Sequence, residues 1–284
     1  MFITRNHVFI QLSRLDKPTG IWLVMFPCWW GVALSNSPWK IDFYLNLILF
    51  FIGAVCMRGA GCIVNDLTDR KFDREVERTR NRPLVSGKAT PKQAILYFIF
   101  LCLGGGMVFL CLSPLGKLLS LFAFVLLIIY PWMKRITHWP QFVLGLAFNS
   151  GVLIAYANTT QTLNSLPWFV YGAGILWTLA YDTIYAFQDI EDDLKVGVKS
   201  TAILFRNNPK LLPIISYAGM IMIFIILGIQ NNFSIYYWVG MTLFSGLACY
   251  FSWQWNPDDP ASSFKIFKRN QLIGWVVFLS FTVS

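Results

Sequence analysis

Two short stretches of the 284-residue chain carry most of its capacity for charge chemistry. The first reads Asn65-Asp66-Leu67-Thr68-Asp69-Arg70-Lys71-Phe72-Asp73, the second Asp189-Ile190-Glu191-Asp192-Asp193. Nine of the 14 acidic residues lie within 66–77 and 189–193, a crowding that solvated loops do not require. Each stretch places carboxylates four apart, Asp69 with Asp73 and Asp189 with Asp193. On a helix such positions share a face about 5–6 Å apart, where two like charges repel and add nothing to the fold. A divalent cation turns that repulsion into a site. Mg²⁺ takes one or two carboxylates and completes its shell with waters and substrate phosphates, and two metal ions can clamp a diphosphate between them. Other motifs do not match. An EF-hand needs Gly at its sixth position, where the second stretch has Leu194, and Ser86-Gly87-Lys88-Ala89 lacks the first Gly and the strand of a phosphate loop.

Basic residues surround the acids: Arg70, Lys71, Arg74, Arg78, Arg80, Arg82, Lys195 and Lys199. Lys and Arg donors are the expected stabilisers of a diphosphate leaving group, although order along the chain does not sort those that touch it from those that mark a membrane face. Tyr130 and Lys134 are likewise four apart at the end of an apolar run, within reach of a phosphate oxygen. Two charges lie inside apolar runs. Arg58 sits about two turns before Asn65, and a mid-helix arginine costs about 2.5–3.5 kcal/mol on insertion scales. Its use is either a structural ion pair with Asp182 or a bidentate grip on the carboxylate of an aromatic acid. Asp182, two turns before Asp189, is placed to point towards the same space. His7 and His138 have no partner set and receive no role.

The elements that position these residues follow from composition. Hydrophobic residues make up 56% of the chain and charged ones 13%, with a mean hydropathy of +0.55. Soluble domains carry about 25% charged residues, so a soluble enzyme is excluded. Spans of about 20 apolar residues are expected at 18–36, 43–64, 92–112, 116–133, 139–158, 166–187, 211–229, 235–254 and 268–284, the last being short. This is an all-α integral membrane protein of about nine transmembrane helices, one unit over 1–284 with no linker. Placing the N-terminus inside puts every Lys and Arg on the cytoplasmic face except Lys40, Lys117 and Arg58, as the positive-inside rule requires. Both acidic loops, 65–91 and 188–210, then share that face. The net charge of +9 is topology information plus a polyanionic substrate; no basic face or nucleic-acid module accompanies it. Six scattered cysteines without a CxxC pair read as small buried hydrophobes. The absence of a transit or signal sequence points to a bacterial cytoplasmic (inner) membrane, with the lipid bilayer as the chain's surroundings and no obligate protein partner evident.

With these residues in view, the chain resembles the UbiA-type intramembrane prenyltransferases. The resemblance rests on Arg14-Leu15-Asp16-Lys17-Pro18-x-Gly20, on Asn65-Asp66-x-x-Asp69-Arg70-x-Phe72-Asp73 continuing through Arg78-Thr79-x-x-Arg82-Pro83, on Tyr130-x-x-x-Lys134, and on Tyr181-Asp182-Thr183-x-Tyr185-Ala186-x-x-Asp189-x-x-Asp192-Asp193 with Lys199-Ser200-Thr201. These motifs look most like the branch that prenylates 4-hydroxybenzoate in ubiquinone biosynthesis. The resemblance implies a helical bundle around a central cavity open to the cytoplasm. It implies Mg²⁺ held by Asn65, Asp69, Asp73, Asp189 and Asp193, with Asp66 in the same motif. It further implies polyprenyl diphosphate met by Arg14, Lys17, Tyr130, Lys134 and Lys199, and 4-hydroxybenzoate met by Arg58 with Asp182 nearby. Asp69, Asp73, Asp189 and Asp193 are the expected catalytic acids. Two alternatives stand beside this reading. One is a prenyltransferase of the same superfamily with a naphthoate, haem or chlorophyllide acceptor; the other is an organic-anion transporter, whose site would lie near the midplane in broken helices.

Overall fold

Apolar runs become helices here because their starts are marked. Thr90 accepts from the Gln93 amide while Gln93 returns a bond to the Thr90 backbone, a capping box ahead of Pro91. Ser113, Asn164, Ser234 and Asp259 cap other helices in the same way. The computed structural model describes residues 2–284, with side chains described from residue 7 onwards. The helices are α1 (Phe2–Ser13), α2 (Thr19–Ser35), α3 (Ile41–Asp69), α4 (Pro91–Leu110), α5 (Pro114–Ile136), α6 (Pro140–Thr160), α7 (Ser165–Ala186), α8 (Ile190–Val196), α9 (Thr201–Leu204), α10 (Leu211–Gln230), α11 (Ile235–Gln254) and α12 (Pro260–Thr282). No strand occurs among the described residues.

Each expected span coincides with a long helix, but the boundaries move. By length and composition, α3, α4, α5, α6 and α10 are able to cross a membrane, and the apolar α2 is shorter at 17 residues. The helix that covers the stretch expected at 268–284 begins at Pro260 instead, because Asp259 caps it and Pro260 suits its first turn. The span expected to end at 133 continues to Ile136, carrying Lys134 and Arg135 onto the acids of α3.

Helix α2 packs against α3, α6 and α12, α7 against α6 and α10, and α3 against α4. Close approach between helices is made possible by missing side chains. A Cβ on Gly31 would lie 2.4 Å from the Val152 carbonyl oxygen of α6, as expected where small residues let membrane helices touch. The large rings of the core satisfy their polar atoms internally. Trp30 donates to the Gly274 carbonyl at 3.0 Å, and Asn270 accepts from Trp177 at 3.0 Å and Tyr217 at 2.8 Å. This locks α2, α7, α10 and α12 together on one side and leaves the other side to the cavity.

Candidate functional site

The acidic stretches sit where helices end. Helix α3 stops at Asp69 and the chain tightens into a 3₁₀ turn at Phe72–Arg74. Likewise Asp189 closes a 3₁₀ turn and Asp193 belongs to the new helix α8. The expected pairs of carboxylates four apart on one helix face are therefore not formed; each pair straddles a break. The break follows from what the acids bind. Arg82 Nη1 folds back from the loop to donate to Asp66 Oδ1 at 3.1 Å and Asp73 Oδ2 at 2.6 Å, tying residues seven apart through one cation.

A single cavity of about 1260 Å³ lies beneath these turns, larger than the usual 300–1,000 Å³ of small-molecule pockets. Asn65, Asp66, Asp69, Asp73, Asp189 and Asp193 line it, as do Arg14, Lys17, Arg58, Tyr130, Lys134, Asp182 and Lys199. Away from the acids the walls are apolar, with Leu23, Phe50, Val108, Phe109, Leu121, Phe124 and Leu127 among them. One cavity thus has a charged head and a greasy body.

At the head, opposite charges interlock. Arg14 reaches Asp66 at 2.5 Å from a left-handed backbone (φ 54°) just past the end of α1, a conformation that disfavours a side chain and marks a position held by its contacts. Burial works against the Arg14 charge, but Asp66 together with the smaller pulls of its neighbours, Asp73 among them, outweighs it, and its pKa lies above the usual value. Lys134 and Arg135 both pair with the fully buried Asp69, and Arg135 also donates to the Thr68 carbonyl at 2.9 Å. Arg78 grips Asp189 in a bidentate fork at 2.8 and 2.5 Å and donates to Tyr185 at 3.0 Å. With the Glu77 amide donating to Asp192 at 3.2 Å, that fork docks the first acidic loop onto the second. Lys199 lines the cavity, yet its ammonium donates to the Ile136 carbonyl at 3.1 Å and caps α5.

Arg58 and Asp182 form no ion pair among the described residues. The Arg58 Nε is buried without a hydrogen-bond partner, and its guanidinium carbon lies 5.5 Å from the centre of the Phe148 ring. The structural pairing that the sequence left open is not made, and both groups face the cavity.

The oxygen donors at the head, carboxylates and one amide, suit a hard cation. Among the described residues no three His, Cys, Asp or Glu form a ready cage. Mg²⁺ needs only one or two carboxylates when phosphate oxygens complete its shell, so the residues fit a metal that arrives with a diphosphate. Asp193 stands apart from the other acids. It has no salt bridge among the described residues, and burial, followed by the neighbouring Asp189, pushes its carboxyl up to about 7. A divalent cation relieves that crowding.

The profile of the UbiA prenyltransferase family matches residues 24–281. The chain belongs to the UbiA prenyltransferase family. It is 39% identical over 271 residues to a 4-hydroxybenzoate octaprenyltransferase of Nitrosococcus oceani, covering 95% of this chain and 94% of the relative. A 4-hydroxybenzoate octaprenyltransferase of Saccharophagus degradans is 40% identical over 279 residues, with 97% and 92% covered. In fold, the chain matches an apo UbiA homolog from Aeropyrum pernix with a TM-score of 0.77 at 22% identity, over 92% of this chain and 96% of the other. It also matches a UbiA homolog from Archaeoglobus fulgidus bound to GPP and Mg²⁺, with a TM-score of 0.71 at 17% identity, over 96% and 99%.

Arg78, Arg82 and Arg135 are the residues of this UbiA-family site that sequence order did not single out. Their signal was present in the spacing Arg78-x-x-x-Arg82, but Lys71, Arg74 and Arg80 stood beside it with equal claim. The geometry ranks them by burial. Arg82 is 17% exposed and holds two acids, whereas Arg78 is 37% exposed and holds one. Breaking a buried pair by removing one partner costs on the order of 3–5 kcal/mol, and an exposed one far less. Arg82→Ala is therefore expected to lower the thermal midpoint of the detergent-solubilised protein clearly more than Arg78→Ala. Equal midpoints would remove Arg82 from its structural place.

Proposed function

We propose that this chain transfers a polyprenyl group from polyprenyl diphosphate to the ring carbon ortho to the hydroxyl of 4-hydroxybenzoate, releasing diphosphate, as a step in ubiquinone biosynthesis. The observation that carries this reading is full-length similarity: relatives of that activity are 37–40% identical over nearly the whole chain. The cavity supports it by matching a donor with a charged head and an apolar tail, and an acceptor with a carboxylate for Arg58.

Asn65, Asp69, Asp73, Asp189 and Asp193 would hold Mg²⁺, with Asp66 beside them; Asp66 keeps one oxygen clear of Arg14 and Arg82, whereas Asp69 and Asp189 would have to release oxygens from Lys134, Arg135 and Arg78. A divalent cation held there would supply positive charge against the diphosphate oxygens and so favour loss of the leaving group. Arg14, Lys17, Tyr130 and Lys134 lie around the head of the cavity, where they receive the negative charge that develops as the C1–O bond of the donor ionises. The apolar walls exclude water from the allylic cation, and aromatic faces such as Phe124 and Phe148 stabilise it. Arg58 holds the acceptor carboxylate and turns the carbon ortho to the hydroxyl towards the cation, after which the ring loses a proton. Asp182 lies beside this acceptor position. A donor of many isoprene units has its place in the bilayer, and the site comes to it.

In this reading the nine long helices α2–α7 and α10–α12 all span the bacterial inner membrane, 1–284 acts as one unit, and the head of the cavity opens to the cytoplasm. Single cysteines replacing Glu77, Arg206 and Ser262 in a cysteine-free background should label only from the cytoplasm. Those replacing Pro38, Leu115 and Thr162 should label only from the opposite side, and a mixed result within either set would reject this topology.

The function itself is tested with purified protein, Mg²⁺ and polyprenyl diphosphates of graded length, following diphosphate release with 4-hydroxybenzoate or a dihydroxynaphthoate as acceptor. Release that requires 4-hydroxybenzoate is the expected result. Release with the naphthoate alone would reassign the acceptor, and no release with either would favour a transporter.

A further inference from the structure

Several glycines at helix contacts in this protein face something rigid. A Cβ on Gly31 would strike the Val152 backbone, and one on Gly274 would lie 2.2 Å from the Phe26 ring. Gly20 differs. Its three nearest obstacles all belong to the tip of one flexible side chain: a Cβ there would lie 2.4 Å from Arg58 Nε, 2.6 Å from Nη2 and 2.8 Å from Cζ. The guanidinium therefore lies against the bare backbone of the first turn of α2. Its Nε finds no hydrogen-bond partner, no acid pairs with it among the described residues, and Phe148 stands 5.5 Å away. Shape places this cation at the cavity wall; polar bonds do not.

We infer that Gly20 is a positioning residue for the acceptor. By lacking a side chain it opens the slot in which the Arg58 guanidinium rests, and so sets where an aromatic carboxylate docks. The inference rests on the reading that Arg58 holds that carboxylate. An alanine at position 20 forces the guanidinium away by about 1 Å, the scale of misplacement that costs about a hundredfold in a positioned reaction. The same alanine leaves the fold alone, because the group that moves is the far end of an arginine and Ala is a better helix former than Gly. The space that a glycine leaves thus serves recognition here, whereas at Gly31 it serves packing.

The test is a cycle of four proteins: wild type, Gly20→Ala, Arg58→Ala and the double variant. For each, folded yield in the membrane and KM for 4-hydroxybenzoate and for polyprenyl diphosphate are measured. Gly20→Ala is expected to keep its folded yield, to raise the acceptor KM about tenfold to a hundredfold, and to leave the donor KM within about twofold. The double variant is expected to match Arg58→Ala, since an alanine at position 20 has nothing left to displace. Should Gly20→Ala lose folded protein, the double variant must regain it, because the clash then lies with Arg58 alone; failure to regain it overturns the inference. So does an unchanged acceptor KM in Gly20→Ala while Arg58→Ala raises it, or effects of the two changes that multiply. An acceptor KM unmoved by Arg58→Ala would instead strike at the underlying reading of Arg58, and with it this inference.

Discussion

Asp193→Asn is expected to lower turnover by at least about two orders of magnitude with little change in folded protein. The size follows from the loss of one preorganised charge-stabilising group, which costs about 10²–10³ in turnover. The selectivity follows from its surroundings: no side chain among the described residues pairs with Asp193, so neutralising it strands no cation. Asp69 makes a less clean test than an acid in an open loop would. It is fully buried and faces both Lys134 and Arg135, so Asp69→Asn is expected to reduce folded protein as well as turnover. Asp189→Asn should fall between them, because it weakens the bidentate Arg78 fork that docks the two loops. Turnover at saturating substrate, alongside membrane yield by immunoblot, separates the three. Near-normal turnover in Asp193→Asn would dissolve the two-loop site.

Arg58→Ala carries the second large effect, and it should be selective for one substrate. A charge-assisted hydrogen bond is worth about 1.5–3 kcal/mol, or roughly ten- to a hundredfold, and the loss should appear in KM for 4-hydroxybenzoate. Arg58→Lys is expected to recover only part of it, because an ammonium does not reproduce the planar fork. Folded yield should hold in both variants. Arg58 has no acid partner among the described residues to be left behind, so Asp182→Ala should not be rescued by Arg58→Ala. Rescue of folding in that double variant, with the acceptor KM constant throughout, would restore the structural pairing.

What the sequence made legible was what charge makes conspicuous in an apolar chain. Acids crowded into two stretches, and one arginine inside a run of hydrophobic residues, stand out in a chain this apolar; the structure gathers Arg58 and five of those nine acids, Asp66, Asp69, Asp73, Asp189 and Asp193, around one cavity. The helices were legible for the complementary reason, length and apolarity, while their ends were set by partners distant in sequence. Helix α5 runs on to Ile136 because Lys134 and Arg135 have Asp69 to meet. Helix α3 gives way to a 3₁₀ turn beside Asp73, where Arg82 binds two acids at once. Charge and residue type alone do not distinguish Arg82 from Arg80, which ends in an exposed contact with Glu77. The role of Gly20 was equally hidden, since a glycine announces only that something comes close, and only the fold says that it is Arg58.

The most direct test of the account is the identity of the product. Purified protein, Mg²⁺, polyprenyl diphosphate and 4-hydroxybenzoate should yield one new species by mass spectrometry, 4-hydroxybenzoate carrying the polyprenyl chain. NMR should place that chain on the carbon ortho to the hydroxyl, with one diphosphate released per product. Attachment through oxygen, or release of diphosphate with free polyprenol as the only other product, would contradict it.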